Sequence, residues 1–541
     1  MKKTYKILAL VLSIVLISVT FAACGGEKEK KVSTGTTLTY WGVLDSSSMA
    51  AGISDYNELL FYKELEKRTG IHIDFIHPVR GSSGSEAFMT MLTSSTLPDM
   101  IEYHWGLYTG GTQAAIDDGV VVVLDEYLEE YAPNYYDYMY GEKGKAEDYT
   151  YRLQSLSSGG HHFGFAELNI GYAKLFSGAC VRGDLLEKWG MSIPETIDEW
   201  TAFLAKAKAE GFSAPLTGVT TDFLFTHASA GFANGFGVGK SYYIDDGKVK
   251  FGPFESGYKE YVAQISEWVK LGYIDRNFVT NDSRKIQGNL TNGISVAAFG
   301  GIGGLMGPVN DAMKSKDSEF VLVAAPAPVA KKGDIAAFQN MSENVSYAQL
   351  AIAISTDCAD YETAIGWCDY LYTDEGNVLR TFGVEGDTYT IEERDGEKHY
   401  VYTDKITNPE NSGVNSVTQA LYKYMLPANH PGLSQHPDYL DGYYTDQIQK
   451  DALALWNSNL DAAKSHLVPN SLTYTDDEAR EKTDILEVAE NELEVAVLDI
   501  FLGKASVGSF DDAIAKAKKN GYDRVLEIMQ AAYDRYISMN K

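Results

Sequence analysis

The first twenty-six residues, MKKTYKILALVLSIVLISVTFAACGG, decide the compartment in which the rest of the chain has to fold. Lys2, Lys3 and Lys6 make a basic start, Ile7 to Phe21 carry no charge, and Ala22-Ala23 are the small residues that a signal peptidase needs. The pattern predicts an export signal over residues 1–23. Cys24 follows Ala-Ala directly and precedes Gly25-Gly26, as in bacterial lipoboxes, where the thiol receives a diacylglycerol and becomes the mature N-terminus. Phe21 stands where leucine is usual, but keeps a large apolar side chain. About seventeen apolar residues is short for an uncleaved membrane span. Gly25 to Thr37 are small, charged or hydroxylated apart from Val32, so residues 24–37 read as a flexible tether. The expectation is a body held on the outer face of a membrane, with no second hydrophobic stretch long enough to cross it.

About 500 mature residues exceed what one hydrophobic core organises, and predict two large lobes or three domains. Loss of the three signal lysines leaves 43 basic against 75 acidic residues, a formal charge of −32. That balance repels phosphate backbones and anionic lipid, and argues against nucleic acid as a partner. Thirty-six tyrosines outnumber the seven tryptophans and twenty-two phenylalanines. An apolar ring with a polar tip suits sugar faces, and equally suits half-wet surfaces of an acidic protein. With Cys24 lipidated, Cys180, Cys358 and Cys368 are an odd set, read as buried free thiols, with a Cys358 to Cys368 bridge as the alternative. No CxxC, HExxH or His/Cys cluster supports metal catalysis, no loop satisfies EF-hand spacing, and no cofactor is expected.

Thr37 to Val43 alternates like a first strand; Asn57 to Thr69 has helical spacing stopped by Gly70; Ile71 to Pro78 alternates again; Ser85 to Thr96 is helical; Met100 to Tyr103 is a short buried strand. Strand, helix, strand, helix, strand predicts an α/β fold with a parallel sheet, whose ligands meet the carboxyl ends of the strands, where Trp41 and His104-Trp105 fall.

The segment SSTLPDMIEYHW, followed by DDGVVVVLDEYLEEYAPNY, resembles the N-terminal lobe of extracellular solute-binding proteins of bacterial ABC importers, family 1. Further similarities run along nearly the whole mature chain. His161 to Asp184 resembles the first crossing between lobes, and Val181 to Leu186 the family's "I-R-K-D-W-L", with Gly183 and Leu185 departing from it. Pro194 to Ala207 resembles the "P-x-T-x-x-E" helix, and Thr196 with Glu199 is a capping box on physical grounds alone. Tyr258 to Phe278 carries "W-x-x-x-G-x-I-D-x-x-F". Phe320 to Pro328 resembles the run before the second crossing, and Val345 to Ser355 reads as a strand of the first lobe. Asp360 to Leu379 reads as one helix with the "T-D-E-G" turn; Phe382 to Tyr389 resembles the third crossing of the larger Gram-positive members. Asp484 to Phe501 is helical, and Phe510 to Tyr536 resembles the family's terminal signature, with a role in lobe packing.

The resemblance implies a two-lobed periplasmic-binding-protein-like α/β fold with a hinge and a helical C-terminal extension. The expected N-lobe is 38–165 plus 340–382, and the C-lobe 166–339 plus 383–541. It implies no enzyme but a lipid-anchored monomer that takes a small-molecule ligand, an oligosaccharide by preference, between its lobes and offers the closed form to ABC importer membrane subunits. Sugars need aromatic platforms beside carboxylates or amides. Trp41, Trp105, Tyr108, Phe165 and Phe299 at strand ends or glycine-flanked loops are the candidate platforms, and Asp45, Glu167, Asn169 and Asn344 the polar candidates. Gly300 to Gly304 lacks the Lys-Ser/Thr pair of a phosphate loop and reads as backbone approaching a ligand. A binder of peptides or another nutrient, a surface glycoside hydrolase and an adhesin stay open as alternatives.

Overall fold

The computed structural model describes residues 35–146, 150–169, 175–226, 231–338, 350–394, 396–434, 436–444, 446–469 and 472–539. The export signal, Cys24 and Asn344 lie outside them. The strands are β1 (Thr37–Trp41), β2 (His72–Ile76), β3 (Met100–His104), β4 (Phe165–Asn169), β5 (Ser177–Arg182), β6 (Leu216–Thr217) and β7 (Tyr242–Asp245). They continue with β8 (Lys248–Phe251), β9 (Ala297–Gly301), β10 (Leu322–Ala325), β11 (Leu350–Ile354), β12 (Tyr389–Arg394), β13 (Glu397–Tyr402) and β14 (Gly432–Ser434).

Six strands form the first sheet in the order β14-β4-β11-β3-β1-β2, parallel except for β11. Leu-Pro-Asp has a local reason here. The Asp99 carboxylate accepts the N–H and hydroxyl of Thr39 at 2.8 and 2.7 Å, while the Asp99 N–H donates to Thr39 Oγ1 at 2.9 Å. Asp99 thus fixes β3 against β1 before either strand reaches its carboxyl end.

The second sheet runs β10-β5-β9-β6, with β5 opposed to the others. Its alternation feeds two cores. Cys180, Ala298, Leu322 and Ala324 face the core that continues into the first lobe. Ala179, Val181, Ala297, Phe299 and Ala325 face a separate core with the helices Ile197–Ala209 and Ser256–Lys270. Thr196 and Glu199 form the capping box expected from sequence. Tyr258, Tyr261, Val262, Ile265, Trp268 and Val269 bury one face of the longer helix at the spacing of an amphipathic stripe.

Three connections join the lobes, and all leave the carboxyl edge of the first sheet: β4 to β5, β10 to β11, and β14 onward to the helix Gln447–Asn457. The third lies later than the resemblance implies. Phe382 to Tyr389 does not cross; it leads into the β12–β13 hairpin, which folds back on the first lobe. Phe382 stacks on Tyr400 with centroids 5.2 Å apart, and the Tyr402 hydroxyl donates to the Thr381 carbonyl at 2.8 Å. β14 then adds to the first sheet beside β4. Residues 383–434 therefore belong to the first lobe, not the second, and β4 itself, placed at 166 and beyond in the second lobe from sequence, stays in the first.

The segment Asp360 to Leu379 divides into the helices Tyr361–Tyr370 and Asp374–Phe382, because Thr373 caps the second through the Gly376 N–H at 2.9 Å. A Cβ at Gly376 would stand 2.0 Å from the Tyr370 carbonyl oxygen, so only glycine allows the turn. The terminal helices Asp476–Phe501, Phe510–Lys519 and Tyr522–Met539 close the second core through Leu493, Val497, Phe501, Phe510, Tyr522 and Val525. Arg535 holds them to the entry of that bundle by donating to both Glu478 carboxylate oxygens and to the Thr473 carbonyl. The three described thiols, Cys180, Cys358 and Cys368, are free and buried. No helix among the described residues is long and apolar enough to cross a membrane.

The helix Gln447–Asn457 is seated on the second sheet by Trp456. Its Nε1 donates to the Ala325 carbonyl at 2.9 Å, and its ring lies over Gly178, where a Cβ would come within 2.5 Å of the indole. Gly178→Ala is expected to cost about 1–3 kcal/mol of stability by overpacking this seat. Urea unfolding reads it, and an unchanged midpoint would mean the helix can shift without loss.

Candidate functional site

The three connections place the cleft between the lobes at the carboxyl edges of the two sheets. On the first lobe, period-two alternation sends Trp41, Ile101 and Tyr103 to one face, where they meet the helix Gly84–Leu92 and the turn after β3. Phe88 stacks on Tyr103 with centroids 4.5 Å apart, and Trp41 meets the edge of Tyr103 at 5.8 Å. Trp105 meets Phe88 edge-on at 5.3 Å and stacks on Tyr108 at 6.4 Å. The result is an aromatic wall. Trp41, Phe88 and Trp105 are buried behind it, while Tyr103 and Tyr108 are half-buried and keep ring surface toward solvent. The Tyr108 hydroxyl donates to Asp118 Oδ2 at 2.9 Å, which fixes that ring. Val43 and Leu107 lie exposed beside the wall.

The other face of the same edge is polar and rests on buried charge. Glu102 accepts from the Tyr40 hydroxyl and pairs with His430 Nδ1 at 2.7 Å. Burial alone would neutralise both groups. Each instead holds the other charged: the His430 imidazole rises above its ordinary value and the Glu102 carboxyl falls below its own. Arg380, with no solvent exposure to speak of, donates to the carbonyls of His430 and Leu433 and lies 3.6 Å from Glu167 Oε1. That same Glu167 oxygen accepts the Asn429 N–H at 2.7 Å. Asn169 Oδ1 accepts the Ser434 hydroxyl at 2.6 Å, and Asp45 caps the helix Ser46–Ala50 through the N–H groups of Ser47 and Ser48.

On the second lobe, Phe299 near the end of β9 meets Phe232 edge-on at 5.2 Å. Gly300 is required there, since a Cβ would stand 2.5 Å from Leu305. Gly303 and Gly304 are exposed, and the Gly304 carbonyl accepts from Gln287 Nε2 at 2.9 Å. After β6, the buried Lys240 donates to the Thr221 carbonyl at 2.6 Å, and burial pushes its ammonium down to about 7 against the opposing charge of Asp222. Burial likewise pushes the Asp222 carboxyl up, to about 6.

Trp41, Trp105 and Tyr108 are thus brought together, but Trp105 has no exposed surface and its Nε1 donates to the Ala351 carbonyl, so it supports the wall instead of contacting solute. Phe165 is likewise core, packed on Tyr135 at 5.0 Å. Phe299 is nearly covered, and Glu167 Oε1 and Asn169 Oδ1 are occupied as described. Asp45 stands half-buried at the same edge. Tyr103, missed from sequence, had a signal: it alternates with Ile101 and Trp105 at the end of β3. The 426–434 loop had none, because its place depends on β14 joining a sheet begun four hundred residues earlier. Among the described residues no group of three or more His, Cys, Asp or Glu side chains is placed to hold a metal.

No family model matches the chain. The fructooligosaccharide ABC transporter substrate-binding protein FusA of Streptococcus pneumoniae serotype 4 is 24% identical over 510 residues, covering 89% of this chain and 88% of its own. Its crystal structure in complex with kestose has a TM-score of 0.64 at 19% identity, over 94% of this chain and 100% of that one. An HMO-binding, ABC-transporter-associated solute-binding protein of Bifidobacterium longum infantis gives a TM-score of 0.72 at 17% identity, over 93% and 99%. The alginate-binding protein AlgQ2 gives 0.65 at 20%, over 94% and 100%.

The Glu102–His430 pair makes stability depend on pH in both directions. His430 is raised, so its contribution is complete below the ordinary histidine value of 6.5 and is lost as pH climbs through the elevated one. Glu102 is lowered, so its contribution is complete above 4.5 and is lost as pH falls through the depressed value. His430→Gln is expected to cost about 3–5 kcal/mol by stranding the buried carboxylate. It should also flatten the decline in melting temperature on the alkaline side of pH 6.5, and a decline as steep as wild type's would place that titration elsewhere.

Proposed function

We propose that this chain, which has the two-lobed fold of ABC-importer solute-binding proteins, captures an oligosaccharide between its lobes and delivers it to importer membrane subunits. The observation that carries this reading is the aromatic wall at the carboxyl edge from which all three lobe connections depart. Tyr103 and Tyr108 offer ring faces to the C–H face of a sugar, and the polar edge at Asp45 offers a partner for its hydroxyls. The similar proteins described above, fructooligosaccharide, human-milk-oligosaccharide (HMO) and alginate binders among them, favour the same ligand class. Ligand selects the closed arrangement only by touching both lobes, and the exposed Gly303 and Gly304 after β9 suit close approach of a bulky glycan to backbone. The similar proteins are transporter substrate-binding proteins, and the reading is of a binder and not an enzyme.

The lipid on Cys24 belongs to the same proposal. A single acyl chain holds a protein to a bilayer only marginally, whereas a diacylglycerol brings two chains. Cys24→Ser is expected to move the protein from the membrane fraction to the medium or to block its processing. A variant that stays membrane-bound and normally processed would remove the lipid from the account.

Thermal unfolding against kestose, nystose, malto-oligosaccharides, human-milk oligosaccharides and a set of short peptides tests the ligand class. A ligand that binds only the folded state raises the midpoint with concentration. A saturable rise with one glycan series is expected, and Tyr103→Ala is expected to weaken it about tenfold through loss of stacking. Rises with peptides alone would replace the carbohydrate reading by its nearest rival.

A further inference from the structure

Among the described residues, Asp246 and Asn429 are the non-glycine residues with positive φ, at 48° and 61°. Asp246 needs no further reason: with Gly247 it makes the two-residue turn of the β7–β8 hairpin, which requires that conformation. Asn429 is in no hairpin. It is exposed, in a loop whose other residues from Pro427 to Ser434 are buried or half-buried, and it is tied to the segment after the carboxyl end of β1 through Tyr422, whose hydroxyl it meets and whose carbonyl accepts from Ser48 Oγ at 2.8 Å.

That loop is held by an unusual amount of buried charge. Glu167 takes the Asn429 N–H, Arg380 takes the carbonyls on either side of Pro431 and Gly432, and Glu102 takes His430. Taking these groups out of water is costly, and a packed apolar cluster would stabilise the lobe as well or better. What the arrangement secures is one backbone conformation, and the single side chain it turns outward is that of Asn429. The carboxamide makes one hydrogen bond among the described residues, a long one of 3.4 Å from Nδ2 to the Tyr422 hydroxyl, which itself donates to the Ala428 carbonyl. Oδ1 and the second N–H remain directed away from that partner. Strained backbone held by its surroundings at a cleft is a mark of a functional position.

We infer that Asn429 is a ligand-binding residue of the first lobe, its carboxamide donating to one hydroxyl and accepting from another on a sugar held at that end of the sheet. Glu102, Glu167, Arg380 and His430 are positioning residues for it. The assignment of a sugar rests on the carbohydrate reading above; the assignment of a contact does not.

Asn429→Gly separates binding from folding, because glycine takes positive φ without strain. The variant is expected to melt within about 3 °C of wild type and to bind the sugar of the kestose, nystose, malto-oligosaccharide and human-milk-oligosaccharide panel on the order of tenfold more weakly. Asn429→Asp also tolerates the conformation and keeps an acceptor, so a smaller loss is expected by titration calorimetry. Wild-type affinity in both variants would overturn the inference. If wild type binds peptides instead and Asn429→Gly weakens those, the contact stands and the carbohydrate reading falls.

Discussion

The second sheet is covered on its two faces by parts of the chain that are far apart in sequence, and the rest of the molecule depends on that. Its outward residues share a core with helices from residues 197–270, which the helices from 476 onward cover in turn, while its inward residues share one with the helices Ser283–Thr291 and Gly307–Lys314 and with the helix that follows the third crossing. Neither face is closed until the chain has visited the first lobe a second time. Trp456 over Gly178 is where this closure is tightest, since one methyl group would not fit between them. Leu175 and Asn457 repeat the lock nearby, with the Leu175 N–H donating to Asn457 Oδ1 at 2.8 Å and the Asn457 amide donating back to the Leu175 carbonyl at 3.0 Å.

The first lobe solves a different problem. Its sheet is parallel except for β11, and its central strands β3, β4 and β11 are buried on both faces, so they offer few side chains to solvent except at the carboxyl end of β3. One face of that edge is finished with aromatic rings and the other with charge. The rings stabilise by burying area, and the Tyr103 and Tyr108 surfaces left over are what the rest of the cluster could not cover. The charges stabilise only as a complete set: Glu102 without His430, or Glu167 without Arg380, would be a bare carboxylate in a low-dielectric interior. A lobe built for stability alone would have little reason to prefer this second solution, and its cost is understandable as the means of fixing the 426–434 loop.

Much of this was legible in the sequence wherever the signal is local. The capping box at Thr196, the stop at Gly70, the alternation of β1 and β3 and the stripe of the Ser256–Lys270 helix each depend on residues within a few positions of one another. Three crossings were expected and three are seen, but the last was placed at Phe382 to Tyr389. A glycine-rich aromatic run marks a sharp turn equally well whether the next strand crosses to another lobe or folds back, and only the packing of Phe382 against Tyr400 and Tyr402 decides between them. The same limit governs the site. Trp105 does follow the carboxyl end of β3, whereas Phe165 opens β4 at the far end of the sheet, and which face of a strand is covered depends on the Gly84–Leu92 helix and on Tyr135, neither a sequence neighbour.

Where the lobes can move follows from where they share a core. Buried side chains run without interruption from Tyr40 and Trp367 in the first lobe, through Leu421 and Leu440, to Ala452, Trp456 and the inward face of the second sheet. A close-packed interior resists sliding, so opening the cleft by shearing this region would break contacts all along it. The helix Gln447–Asn457 must therefore travel with the second sheet, and any rotation of the lobes falls on the connections that leave the ends of β4 and β14 and enter β11, at the carboxyl edge of the first sheet. A rotation there moves the second sheet relative to the aromatic wall while leaving the packing within each core in place, so closure would bring the second lobe to whatever that wall holds.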